Sequence, residues 1–164
     1  MGLDWLRSEP FDPLTLHAAL QETRAPLKSV SFAPYTLIGL VKRTKVSLFA
    51  YPYPLLAPLR NWETYGVSIA APEDLVCMEL VAVQQRGSKR DFFDLYMLLQ
   101  DIPLQRAVEL YAQKYGVQPN ASLAYALTYL EDADSEPTPR LQVRLSWRTV
   151  KRFMQQQALA LLRG

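Results

Sequence analysis

A length of 164 residues suits one compact domain, and the composition, 49% hydrophobic and 21% charged, is that of an ordinary globular protein. A net charge of +2 is too small to indicate nucleic-acid binding by itself, because lysine and arginine form only short clusters at 42–45, 86–90 and 148–152. The single cysteine, Cys77, and the single histidine, His17, exclude an internal disulfide and a cysteine-based zinc site, and they leave no HExxH motif.

Membrane insertion and secretion are not indicated by the sequence. It contains no run of about 18 apolar residues, the length that a membrane-spanning helix needs. The residues after Met1 also lack the charged and then apolar regions of a signal peptide. Both observations predict a cytoplasmic protein with no membrane partner.

The first half of the chain alternates one helix with β-rich runs. Asp12 and Pro13 have the pattern of a cap and a first-turn proline, which predicts a helix over 13–24. Short breaks rich in proline, glycine and charge separate three β-rich runs: 27–32, 35–42 and 45–51. The last run has enough β-formers to predict a central strand, and the prolines that follow it end the strand. A further short strand is predicted near 66–70.

From Pro72 onward the pattern is helical. Four helices are predicted, at 72–85, 88–99, 101–116 and 120–131. An acidic, proline-bearing loop follows at 132–139. In the last helix, one face carries Trp147, Val150, Met154, Ala158 and Leu161. This order predicts an α+β fold, with a small mixed or antiparallel sheet and one helix in 1–70 and a C-terminal helical bundle in 71–164, packed as one compact unit.

After its acidic first turn (Glu73 and Asp74), the helix predicted at 72–85 contains one further carboxylate, Glu79, among mostly apolar positions. The helix is therefore expected to be buried nearly all round, and a carboxylate there needs a partner or water. Glu79 and Arg86 are seven residues apart and lie almost in line, two turns apart. A structural pair between Glu79 and a nearby cation is the favoured interpretation, and a cleft-facing role is the alternative.

Two further carboxylates, Asp91 and Asp94, are three residues apart and share a face of the next helix. Ser88 and Asp91 have the spacing of a capping box, which favours a structural explanation for Asp91. Asp94 lies on a mostly apolar side, and structural and functional explanations are equally supported for it. The cations beside them make a mixed-charge group suited to phosphate and metal handling: Arg86, Lys89 and Arg90.

The segment that contains these residues resembles the signature of the AbiEii/AbiGii nucleotidyltransferase toxins. The similar stretches are 70–75, Met78-Glu79-Leu80 and 85–96, of which the block Arg90-Asp91-Phe92-Phe93-Asp94-Leu95-Tyr96 is the most specific. The resemblance runs over nearly the whole chain. Further matches in the same order are Phe11-Asp12-Pro13, Lys45-Val46-Ser47-Leu48, 51–54, 127–133, Ser146-Trp147, Val150-Lys151 and Phe153.

This resemblance implies a partial nucleotidyltransferase fold and a bacterial type IV toxin–antitoxin protein. The parent activity is transfer of a nucleotide from an NTP to an RNA or protein acceptor, which for some family toxins is the 3′ end of tRNA. The implied cofactor is Mg²⁺, which carboxylates hold beside the phosphates, and an antitoxin protein is an implied partner. The implied site residues are Asp91 and Asp94 for catalysis, Arg86, Lys89 and Arg90 for phosphate binding, and Asp4 for the metal.

The sequence also departs from the family pattern. No Gly-Ser motif stands upstream of the strand that resembles the metal-binding one, and Gly2 stands at its first aspartate, so only Asp4 carries over. Glu79 replaces a lysine, and Ser47 and Leu48 stand in the strand where a third carboxylate is expected. The chain is therefore expected to be a truncated or degenerate member that is inactive alone.

Two other functions remain open from the sequence. One is a non-catalytic binding module that interacts with a protein partner such as an antitoxin. The other is an RNA-binding helical domain that uses the cluster at 148–152, although a solvated helix face is the favoured explanation of that cluster.

Overall fold

The computed structural model describes residues 2–117 and 121–161, and it divides into two units, Met1–Pro54 and Leu55–Gly164. A mixed sheet precedes a set of helices along the chain, so the predicted α+β class is confirmed. Among the described residues, no helix has both the length and the apolar character needed to cross a membrane.

The first unit is a four-stranded sheet with one helix. Its elements are β1 (Gly2–Arg7), α1 (Pro13–Gln21), β2 (Lys28–Ala33), β3 (Thr36–Val41) and β4 (Thr44–Ala50). The strand order is β1-β4-β3-β2, with β4 parallel to β1 and antiparallel to β3. The prediction of a central strand after residue 44 is therefore confirmed, because β4 has a neighbour on both sides.

Local sequence signals explain where α1 begins and how it packs. The Asp12 carboxylate accepts a hydrogen bond from the Thr15 backbone N–H at 2.8 Å, and Pro13 occupies the first turn, as predicted. Leu16 and Leu20 of this helix pack on a small core whose buried members are Leu27, Leu37 and Val46.

The second unit begins with a short hairpin and continues as helices. Its elements are β5 (Arg60–Trp62), β6 (Val67–Ile69), α2 (Pro72–Gln85), α3 (Lys89–Leu98), α4 (Leu104–Tyr115), α5 (Ala121–Thr128), α6 (Glu131–Asp134) and α7 (Trp147–Leu161). The predicted short strand near 66–70 and the helix boundaries of α2, α3 and α4 are confirmed within a few residues. The predicted helix start at Asn120 lies outside the described residues.

The helices of the second unit surround one apolar core, to which α2, α3, α4, α5 and α7 all contribute. Between 72 and 84 no side chain of α2 is exposed, as its composition predicted. The predicted inner face of α7 is also confirmed, since Val150, Met154 and Ala158 are fully buried. The prediction of a continuous loop over 132–139 is wrong at its start, because α6 reaches Asp134.

The two units divide after Pro54, whereas the sequence pattern placed the division at residue 70. The segment between those positions joins the helices for a physical reason. Leu56 packs against the helical core, and its backbone N–H donates to the carboxylate of Asp74 at the start of α2.

Candidate functional site

The turn between α2 and α3 places most of the candidate residues. Gly87 has a φ of 53°, in the left-handed region that glycine adopts without strain. A Cβ atom at this position would lie 3.2 Å from the carbonyl oxygen of Val83, a tight contact that the backbone would relieve by shifting a few tenths of an ångström. The backbone N–H groups of Arg86 and Gly87 both donate to the carbonyl of Ala82, which closes the end of α2.

We expect Gly87→Ala to lower the free energy of unfolding by more than the roughly 1–2 kcal/mol that a left-handed alanine costs. Gly116→Ala is the matched control, because its φ of 65° gives the same strain while no atom of the described residues, its two chain neighbours aside, lies within 4 Å of the added Cβ. Urea unfolding of both variants measures the difference. Equal losses would contradict the prediction, since the contact with Val83 would then contribute nothing.

Asp91 lies at the centre of the first charged contact. Its carboxylate accepts two hydrogen bonds from the Arg86 guanidinium, at 2.8 and 2.7 Å, and two from Ser88, at 3.0 Å from the N–H and 2.7 Å from the hydroxyl. Burial alone would raise the pKa of Asp91, but these hydrogen bonds outweigh it and hold the pKa below its ordinary value. The predicted capping box of Ser88 and Asp91 is confirmed.

Asp94 and Arg90 form the second charged contact, one turn further along α3. The Arg90 Nε donates to the Asp94 carboxylate at 3.3 Å, and their side chains are 58% and 46% exposed. Partial burial raises the pKa of Asp94 above its ordinary value, although Arg90 opposes the rise. Asp94 is thus more accessible to a ligand than Asp91, whose side chain is 2% exposed.

Glu79 of α2 faces both contacts. Its Oε2 atom is buried without a hydrogen-bond partner among the described residues. Burial, and then the negative charges of Asp94 and Asp91, raise the pKa of Glu79 to about 7, although Arg86 and Arg90 lower it. Glu79 forms no ion pair within the described part of the chain, so the favoured interpretation of a structural pair with a cation is wrong. We call Glu79, Arg86, Arg90, Asp91 and Asp94 the α2–α3 charged group.

Lys89, the third cation predicted to bind phosphate, is turned away from this group. Its side chain is buried, and its ammonium donates to the carbonyl oxygens of Asp134, at 3.2 Å, and of Glu136. The same ammonium lies 5.4 Å from the ring centre of Trp147. Lys89 therefore holds the segment after α6 against the beginning of α3.

Asp4, the residue predicted to bind metal, belongs to the first unit. It lies exposed on β1, and its register partner on β4 is Ser47. Within 2–117 and 121–161, no three histidine, cysteine, aspartate or glutamate side chains come together in a group that could hold a metal ion. The structure thus gives Asp4 no neighbouring carboxylate on β4.

Sequence reasoning missed a buried ion pair in the second unit. The Lys114 ammonium donates to the Asp74 carboxylate at 2.6 Å, and both side chains are fully buried. Asp74 also accepts from the backbone N–H groups of Leu56 and Ala57, at 3.0–3.2 Å. The signal that could have found the pair is helical periodicity, because Lys114 lies four residues after Leu110 on the apolar face of α4.

Comparison with known proteins gives one family and one relative. The family model described as "Nucleotidyl transferase AbiEii toxin, Type IV TA system" matches residues 48–160. An uncharacterized protein of Aquifex aeolicus is 33% identical over 130 residues, which cover 78% of this chain and 63% of that protein. The chain thus spans less than two thirds of the relative's length, and no solved structure matches. Since the family model covers well over half of its residues, the chain belongs to the AbiEii family of type IV toxin–antitoxin nucleotidyltransferase-like proteins.

Proposed function

We propose that the whole protein transfers a nucleotide in the cytoplasm from an NTP to an RNA or protein acceptor, and that the α2–α3 charged group contacts the triphosphate. The observation that carries this proposal is the family match, because residues 48–160 include every member of the charged group. A type IV toxin–antitoxin system also implies an antitoxin protein as the partner.

Exposure and pairing distinguish the members of the group. Arg86 and Arg90 have side chains that are 67% and 58% exposed, so each guanidinium can reach a phosphate while its carboxylate partner orients it. We assign phosphate contact to these two arginines and leave Lys89 to its structural contacts. Of the two aspartates proposed to be catalytic, Asp94 is the better placed to face a ligand, because Arg86 and Ser88 already occupy the Asp91 carboxylate.

The ionisation state of Glu79 affects how tightly the charged group can bind a triphosphate. A fully ionised carboxylate beside the arginines would repel the phosphates. With a pKa of about 7, Glu79 is protonated about half the time at neutral pH, and the repulsion is correspondingly weaker. We therefore expect the group to bind nucleotide more tightly at pH 6 than at pH 8.

Nucleotide transfer requires a bound metal ion, whereas contact between the arginines and the triphosphate does not. A divalent ion is typical of nucleotidyltransferases, in which it neutralises charge that develops on the phosphates. Mg²⁺ is usually held by one or two carboxylates together with the substrate phosphates. The strand that resembles the metal-binding one offers a single carboxylate, Asp4, and its register partner on β4 is Ser47. We therefore propose that the 164-residue chain binds nucleotide without transferring it.

Equilibrium dialysis with labelled ATP, CTP, GTP and UTP, with and without Mg²⁺, tests the nucleotide-binding part. We expect Arg90→Gln to raise the Kd about tenfold, which corresponds to about 1.4 kcal/mol, the scale of one charge-assisted hydrogen bond. Arg106→Gln is the matched control, because Arg106 is 57% exposed and pairs with Glu109 on its own helix, as Arg90 does with Asp94. An equal rise in Kd for Arg90→Gln and Arg106→Gln would contradict the proposed site. So would a chain that binds none of the four NTPs.

Incubation with α-labelled NTPs and either RNA or protein acceptors tests the transfer part. We expect no label to be transferred by this chain, and label in either acceptor would overturn the proposed lack of a complete centre. If the chain captures a protein partner but binds no NTP, the non-catalytic binding module replaces the proposed function.

A further inference from the structure

The C-terminal part of the chain carries an unbalanced positive charge. From residue 137 to the end there is no aspartate or glutamate. The same segment contains six cations: Arg140, Arg144, Arg148, Lys151, Arg152 and Arg163. The small net charge of the whole chain, +2, conceals this local excess because acidic residues concentrate before it.

Four of these cations form what we call the arginine surface: Arg140, Arg144, Arg148 and Arg152. All four are exposed, and none of them forms an ion pair with a carboxylate within the described ranges. Lys151 differs, because its ammonium donates to Asp134 at 2.8 Å. The arginine surface is therefore not used in pairing within the described residues.

The segment that presents these arginines is held on the helical core. Leu141 and Leu145 pack against the core of the second unit, each beside a residue of the arginine surface in the sequence. Ser146 then caps α7, because its hydroxyl accepts from the Thr149 N–H at 3.1 Å. The arginines thus extend from a packed segment.

The position of Arg148 goes against the usual electrostatics of a helix. The first turn of α7 contains no acidic residue, and Arg148 stands there instead. The partial positive charge at a helix N-terminus favours anions and disfavours cations. Arg148 and the helix end therefore add to the same positive potential, which an external anion would relieve.

We infer that the arginine surface binds the phosphate backbone of an RNA strand. Guanidinium groups bind phosphates bidentately, and Arg148 and Arg152, one turn apart, have Cβ atoms about 5–6 Å apart. The apolar face of α7 is buried in the core, so it is not available to insert into a lipid surface. Among the described residues of this segment, the large exposed apolar side chains are the aliphatic Val143 and Leu159, without the exposed aromatic anchors typical of a protein interface.

The choice of RNA rests on the proposed function, which names RNA as an acceptor class. The phosphate contacts themselves do not depend on nucleotide transfer. RNA binding by a chain that binds no NTP would retain the arginine surface and remove the proposed function, whereas NTP binding with no loss of RNA affinity in the arginine variants would do the reverse.

The test measures the affinity of the full chain for a short, labelled, mixed-sequence single-stranded RNA as a function of salt. We expect the double variant Arg148→Gln/Arg152→Gln to raise the Kd about tenfold near 0.1 M salt. The slope of log Kd against log salt should decrease by about 1.4, which is about 0.7 for each phosphate contact that is lost. Circular dichroism and the melting temperature check that the variant is folded.

The matched control is Arg43→Gln/Lys45→Gln, which removes two exposed cations from the first unit. This variant should bind RNA within about twofold of the unsubstituted chain. Equal losses in the two double variants would overturn the inference, because binding would then follow total charge. Polyglutamate or anionic vesicles that compete as well as RNA would overturn the assignment of the partner, as would DNA of the same sequence that competes better.

Discussion

Replacing Lys114 by methionine is expected to lower the free energy of unfolding by about 3–5 kcal/mol, the usual cost of removing one partner of a buried ion pair. The Asp74 carboxylate would remain buried, and among the described residues it would keep the N–H groups of Leu56 and Ala57 as donors but lose its cation. Urea unfolding followed by circular dichroism measures the loss.

Two further variants test whether burial of the ion pair causes the loss of stability in Lys114→Met. Arg106→Met, on the same helix, removes an exposed pair with Glu109 and should cost less than about 1 kcal/mol. Lys114→Met/Asp74→Asn should recover much of the stability, because the amide oxygen still accepts from Leu56 and carries no charge. A loss for Lys114→Met no larger than that for Arg106→Met would contradict the prediction.

The elements that sequence reasoning predicted well are those whose signals are local. The inner face of α7 follows a 3.6-residue period, and the capping box of Ser88 and Asp91 needs only the spacing of three residues. Both are confirmed because the partners lie within a turn or two of each other, so the rest of the fold does not decide them.

Elements that depend on distant partners were missed or misjudged. Strand β5 has three residues, all exposed, and shows no alternation to read. Helix α6 is the acidic stretch Glu131–Asp134, and contacts from another helix hold it. The indole N–H of Trp147 donates to Asp134 at 2.6 Å, and Lys151 donates to the same carboxylate.

In the candidate site, too, contacts between sequence neighbours were predictable and contacts between distant residues were not. The pairing of Asp91 follows from its neighbours in sequence, whereas Lys89 finds its carbonyl partners 45 and 47 residues later. A cation within a basic stretch predicts a phosphate contact, but only the fold decides whether its head lies in solvent or against a carbonyl. Exposure therefore separates Arg86 and Arg90 from Lys89, although the three residues are alike in the sequence.

Glu79→Gln is expected to stabilise the protein at pH 8 and to have little effect near pH 4. The folded pKa of about 7 lies above the ordinary value of 4.5, so the folded state binds more protons between those values than the unfolded state does. Stability therefore decreases as the pH rises from about 4.5 to about 7 and stays lower above that. Glutamine does not titrate, so the variant lacks this decrease.

The gain at pH 8 should be on the order of 2 kcal/mol, which is below the full conversion of the shift because Glu79 is partly exposed. The substitution is expected to stabilise because burial and the charges of Asp94 and Asp91 disfavour ionised Glu79. These effects outweigh the favourable charges of Arg86 and Arg90. Urea unfolding at pH 4.5, 6, 7 and 8 measures how the difference in stability between Glu79→Gln and the unsubstituted chain changes with pH. Glu109→Gln, at an exposed glutamate, is the control. A gain for Glu79→Gln that does not grow with pH would mean that the carboxylate is already solvated in the folded state.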